Sequence, residues 1–122
     1  MEPRVRIVVE SCRPADAEGR WLVVWRVHND ADEPLHIHDA WVPHGRFRGL
    51  QGHVPVNLVL VPGGSEALEL LVSAAEAPGA LVENAFLILQ TNQGRVFARM
   101  RIEFGDQGMR PRVMRVTSQS IQ

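Results

Sequence analysis

The chain has 122 residues, of which 45% are apolar and 22% charged, with a formal net charge of −1. These values fit one globular domain that buries a core without staples, and they exclude disorder over the whole length. They provide no global attraction to nucleic acid or anionic membrane, and Cys12, the single cysteine, leaves no partner for an intrachain disulfide.

Residues 4–11 alternate: Val5, Ile7 and Val9 share one face, and Arg4, Arg6, Val8 and Glu10 the other. A period of two marks a half-buried strand. Residues 12–19 are rich in breakers and charge and read as a loop. Residues 20–29 form a second strand, with Trp21, Val23, Trp25 and Val27 on one face and the apolar Leu22 and Val24 on the other, so its middle is expected to be covered on both sides. The acidic turn from Asn29 to Pro34 follows. In the third strand, residues 35–42, Leu35, Ile37 and Trp41 point to the core, while His36, His38, Ala40 and Val42 point away. Asp39 then falls on the core side, which is costly for a carboxylate without hydrogen bonds and suggests a bulge nearby.

A glycine-spaced loop spans residues 43–53, and Phe47 and Leu50 are expected to tuck beneath it rather than face a partner. Strands are expected over residues 54–61, where Pro55 hints at an edge, and over 67–72, with the Pro62–Ser65 turn between them. Ser73 and Glu76 have capping-box spacing and predict one helical turn over residues 73–77, ended by Pro78 and Gly79. Residues 83–91 read as a central strand. Residues 95–104 alternate with Val96, Ala98, Met100, Ile102 and Phe104 inward and Arg95, Phe97, Arg99, Arg101 and Glu103 outward. Residues 110–117 offer one further short strand.

The expected fold class is therefore all-β: a single antiparallel β-sandwich of seven to eight strands over residues 1–108, followed by a C-terminal tail over 109–122. The order of features resembles an immunoglobulin-like or fibronectin type III-like sandwich over residues 4–104. The resemblance rests on the strand ending Val27-His28-Asn29, the strand carrying Trp41, the Pro62-Gly63-Gly64-Ser65 turn, and the 73–77 turn leading into the Glu83–Thr91 strand. The chain has neither the cysteine pair nor the tyrosine corner of antibody domains. The resemblance implies binding more often than catalysis, and it places the third, sixth and seventh strands in one sheet.

Charge is uneven. Residues 49–94 contain four glutamates and no arginine, whereas residues 95–122 hold six arginines against Glu103 and Asp106. Every basic residue is arginine and none is lysine, which we read as the codon bias of a GC-rich, bacterial-type genome. Arginines with Phe97 interleaved suit phosphate or single-strand binding, but the near-neutral whole favours a solvated face and no nucleic-acid partner. The second strand and the Glu83–Thr91 strand have more apolar surface than a two-layer sandwich covers. Either the tail or a second protein surface must cover it.

The candidate binding face is thus the outer face carrying His36, His38, Phe97, Arg99 and Arg101, with a protein partner or a second copy, as in a homodimer, as its occupant. The alternative is a copper or zinc site formed by His36, His38 and His44, since two imidazoles two residues apart on a strand share a face. No serine lies in a nucleophile elbow and no carboxylate pair stands out, so an enzyme is not expected. With no leader pattern and no apolar run near the ~20 residues of a membrane span, membrane insertion is not expected and a cytoplasmic location is the default.

Overall fold

The computed structural model describes residues 4–43 and 45–119. It contains nine strands: β1 (Val5–Pro14), β2 (Arg20–Asn29), β3 (Leu35–Trp41), β4 (Arg48–Gly49), β5 (Val54–Leu60), β6 (Ser65–Ser73), β7 (Leu81–Thr91), β8 (Gly94–Gly105) and β9 (Gly108–Gln119). They form two antiparallel sheets, ordered β1-β2-β6-β4 and β5-β3-β7-β8-β9, packed face to face as a sandwich. The strand beyond the expected seven to eight is the two-residue β4, and the further strand expected over residues 110–117 is the longer β9, which pairs along β8 from Gly105 to Arg95.

The core follows from the alternation. Val23, Trp25 and Val27 of β2, Leu68, Leu70 and Val72 of β6, Leu87 and Leu89 of β7, and Val96, Ala98, Met100 and Ile102 of β8 fill the space between the sheets. Trp25 is fully buried, and its indole N–H reaches the Met100 sulfur at 3.4 Å, tying the two sheets together. Trp21 lies at the rim of the same face. Its indole N–H donates to the Ala74 carbonyl at 2.9 Å, and its ring lies 3.4 Å from where a Cβ on Gly108 would sit. Gly108 has φ +126°, so the β8–β9 turn needs a residue without a side chain there both conformationally and sterically.

The helical turn expected at residues 73–77 is not formed, and the described residues contain no helix. Ser73 ends β6, paired with Arg20 on one side and Arg48 on the other, so it is extended backbone and not a helix cap. The Ala74 N–H is taken by the Gly19 carbonyl and the Glu76 carboxylate by Arg46, leaving neither half of a capping box. Strand pairing and long-range contacts override the local signal.

The buried Asn29 ties the loops at one end together. Its amide N–H groups donate to the Glu33 carbonyl at 2.8 Å and the Leu60 carbonyl at 3.0 Å, and its side-chain oxygen accepts from the Ala31 N–H at 3.0 Å. Beside it, Asp30 pairs with Arg6 at 2.5 Å, and that hydrogen bond holds the Asp30 carboxyl below its ordinary range. Both groups are exposed, so their contribution to stability is small; it is present above the ordinary carboxyl range and lost as the pH falls through the lowered value.

Candidate functional site

The bulge in β3 decides what the outer face of the five-stranded sheet carries. The register shifts between Ile37 and Asp39 against both neighbours, β5 and β7. One extra residue inverts every later side chain. Ala40 and Val42 therefore enter the core, at 0% and 3% exposure, while Asp39 and Trp41 turn to the outer face. This corrects the expected inward Trp41 and outward Ala40 and Val42. It also resolves the Asp39 problem, since the carboxylate does not face the core.

Trp41 is nonetheless only 8% exposed. The His53 ring stacks on it, with centroids 3.8 Å apart and planes 10° apart, and the Arg95 guanidinium lies 5.4 Å from its centroid. The loop between β3 and β5 makes this possible. It crosses to the other sheet, where Arg48 and Gly49 pair with β6, buries Phe47 in the core, and returns with His53 over Trp41. Phe47 is tucked as expected, whereas Leu50 is 36% exposed.

Strand register lays out the rest of the face. Trp41 pairs with Ile88, Ile88 with Phe97, and Phe97 with Thr117. The next row runs from Phe86 to Arg99 to Arg115, and beyond it Arg101 is opposite Arg112. The shift in β9 between Val113 and Arg115 brings both Arg112 and Arg115 to the same face as Arg99 and Arg101. Phe86, Ile88 and Phe97 are half-buried there. Arg101 has Glu83 at 3.7 Å, and Arg95 donates to the Gln90 side chain at 3.0 Å. Among the described residues, Arg99, Arg112 and Arg115 have no acidic partner within salt-bridge distance, whereas Arg4, Arg6, Arg20, Arg26 and Arg46 each do.

Of the expected face, Phe97, Arg99 and Arg101 come together on β8. His36 and His38 share a corner at the start of β3, their ring centroids 4.1 Å apart and tilted by 50°. The row Asp39–Gln90–Arg95 separates this pair from Phe97. His44 lies outside the described residues. Among the described residues no group of three or more histidines, cysteines, aspartates or glutamates is arranged to hold a metal ion. Arg4 and Arg6 belong to β1 of the other sheet, and both carry aspartate partners. Arg112 and Arg115 join Arg99 and Arg101 on the outer face. The alternation of Arg110 and Arg112 hinted at them, but the shift that adds Arg115 left no sequence mark.

Cys12 borders a cleft of about 690 Å³ against the β8–β9 turn, and burial pushes its thiol up to about 11. A neutral thiol is a poor nucleophile. Because burial raises the thiol pKa to about 11, the thiolate fraction at pH 8 falls and alkylation by iodoacetamide is expected to be roughly tenfold slower than for an ordinary thiol, the greater nucleophilicity of a high-pKa thiolate offsetting part of the loss. Rates measured from pH 7 to 11 check this, and denaturant should restore the ordinary rate.

Comparison with protein-family models, curated proteins and solved structures gives no match.

Proposed function

We propose that the chain is a non-enzymatic protein-interaction module on an immunoglobulin-like or fibronectin type III-like sandwich, working through the outer face of its five-stranded sheet. The strand order β1-β2-β6 facing β5-β3-β7-β8 supports the fold-level part, with β9 as an added edge strand. The observation that carries the functional part is the composition of the face. Half-buried Phe86, Ile88 and Phe97 lie in one surface with Arg99, Arg112 and Arg115, which lack acidic partners among the described residues. Interfaces are enriched in aromatic residues and arginine, and their energy concentrates in such groups.

A second copy is one candidate occupant: across a two-fold axis residue i of one copy meets residue j of the other, so Arg99 and Arg115 meet their own equivalents only if they lie on the axis. A photo-crosslinking phenylalanine analogue placed at position 97, with a control at the exposed Glu69, which pairs with Val24 on the outer face of the other sheet, tests the proposal in cells of the source. Discrete products from position 97 alone are expected, and a product at twice the chain mass identifies self-association. Products only from position 69, or none from position 97, would overturn the proposal.

Copper or zinc binding is a second proposal, supported by the closeness of the His36 and His38 rings. Calorimetric titration that shows no binding beyond that of a histidine-free variant would end it.

A further inference from the structure

The register on the candidate face contains an arrangement that folding alone does not favour. Arg99 stands directly opposite Arg115, and Arg101 directly opposite Arg112. Like charges directly opposite on adjacent antiparallel strands destabilise the pairing. Glu83 approaches Arg101, but among the described residues no carboxylate approaches Arg99 or Arg115. Elsewhere Arg4, Arg6, Arg20, Arg26 and Arg46 each have a carboxylate within salt-bridge distance, and Arg13 and Arg48, which like them lie off this face, have none among the described residues. A local rule broken without compensation inside the fold marks a site whose compensation comes from outside.

We propose that the outer face of the five-stranded sheet binds an acidic peptide segment of a partner protein, in which aspartates or glutamates are interspersed with apolar side chains. This rests on the interaction-module proposal and names its partner by chemistry. Carboxylates would sit between Arg99 and Arg115 and between Arg101 and Arg112, where each pair of guanidiniums presents donors suited to a carboxylate. The apolar side chains of the segment would cover Phe86, Ile88 and Phe97.

Two alternative occupants fit less well. A second copy would offer this face few carboxylates, since its own copy of the face carries Arg99, Arg101, Arg112 and Arg115. A single-stranded nucleic acid offers phosphates to the arginines but needs open aromatic faces for its bases. The largest aromatic of the face, Trp41, is already covered by His53 and Arg95.

The test uses the full chain, isotope-labelled for amide NMR, with three probes: a ten-residue peptide alternating glutamate and phenylalanine, its lysine–phenylalanine counterpart, and a ten-nucleotide oligothymidine. The acidic peptide is expected to shift amides of β7, β8 and β9, with affinity falling at least tenfold between 50 and 300 mM salt. The lysine peptide should leave those amides unmoved. Arg99→Glu should weaken acidic-peptide binding at least tenfold. It should also raise the thermal midpoint of the free protein by about 1–4 °C, because it places a carboxylate opposite Arg115. A merely structural arginine would not show that opposed pair of changes. Tighter binding of the oligothymidine, or an acidic peptide that shifts no amide of this face, would overturn the proposal. If crosslinks from position 97 persist alongside that failure, only the partner's chemistry is wrong. If they are absent too, the face itself is wrong.

Discussion

Trp25→Ala is expected to lower stability by about 3–5 kcal/mol, the loss typical of truncating a large buried aromatic. The indole is fully buried in β2 and reaches across the sandwich to the Met100 sulfur on β8, so the cavity would open where the two sheets meet. A domain of this size has only about 5–15 kcal/mol of stability, so the variant would lie near the limit of folding. Trp25→Phe keeps most of the apolar contact but loses the N–H group, and should cost about 1–2 kcal/mol. Urea unfolding followed by far-ultraviolet circular dichroism checks both. An alanine variant within 1 kcal/mol of the parent would contradict this assignment of the core.

Asn29→Ala should cost about 2–4 kcal/mol, although the side chain it removes is small and polar. The change leaves the Glu33 and Leu60 carbonyls without their donor and the Ala31 N–H without its acceptor. Those three hydrogen bonds join the β2–β3 turn to the end of β5. Asn29→Asp should be worse at neutral pH, because an ionised carboxylate would face two carbonyl oxygens. Burial beside those oxygens would raise the folded-state pKa of the new carboxyl above its unfolded value. The extra loss should therefore shrink as the pH falls and protonation restores one donor. Thermal midpoints of the parent and both variants between pH 4 and 8 read out the sign directly.

The alternation of Val23, Trp25 and Val27, and of Val96, Ala98, Met100 and Ile102, made the two inner faces legible from sequence because strand periodicity is local. Trp41 was misplaced for the same reason. A single extra residue at the β3 bulge inverts parity, and only the costly position of Asp39 signalled it. The Ser73–Glu76 capping box misled because Ser73 is held by backbone pairing to Arg20 and Arg48, which no local window contains. The candidate face was half legible. Phe97, Arg99 and Arg101 follow from the alternation of β8, but Arg112 and Arg115 depend on how β9 pairs with β8, and the Trp41 stack depends on a loop that crosses between sheets and returns.

The face also explains an imbalance visible in the composition. Residues 95–122 carry a net positive charge within a chain whose total is −1. Folded, Arg99, Arg101, Arg112 and Arg115 of β8 and β9 gather on one surface, where only Arg101 approaches a glutamate of residues 49–94, Glu83. Such a surface attracts an acidic partner at short range and loses that attraction as salt rises.

Arginine footprinting with phenylglyoxal, read by mass spectrometry, tests the working face most directly. In the isolated protein Arg99, Arg112 and Arg115 should react readily, as should Arg13 and Arg48, which lie elsewhere. In the protein recovered gently from its source, still with its partner, Arg99, Arg112 and Arg115 should be protected at least several-fold while Arg13 and Arg48 react unchanged. Equal reactivity of all five arginines in both preparations, or protection of Arg13 and Arg48 alone, would contradict the assignment of this face as the site of interaction.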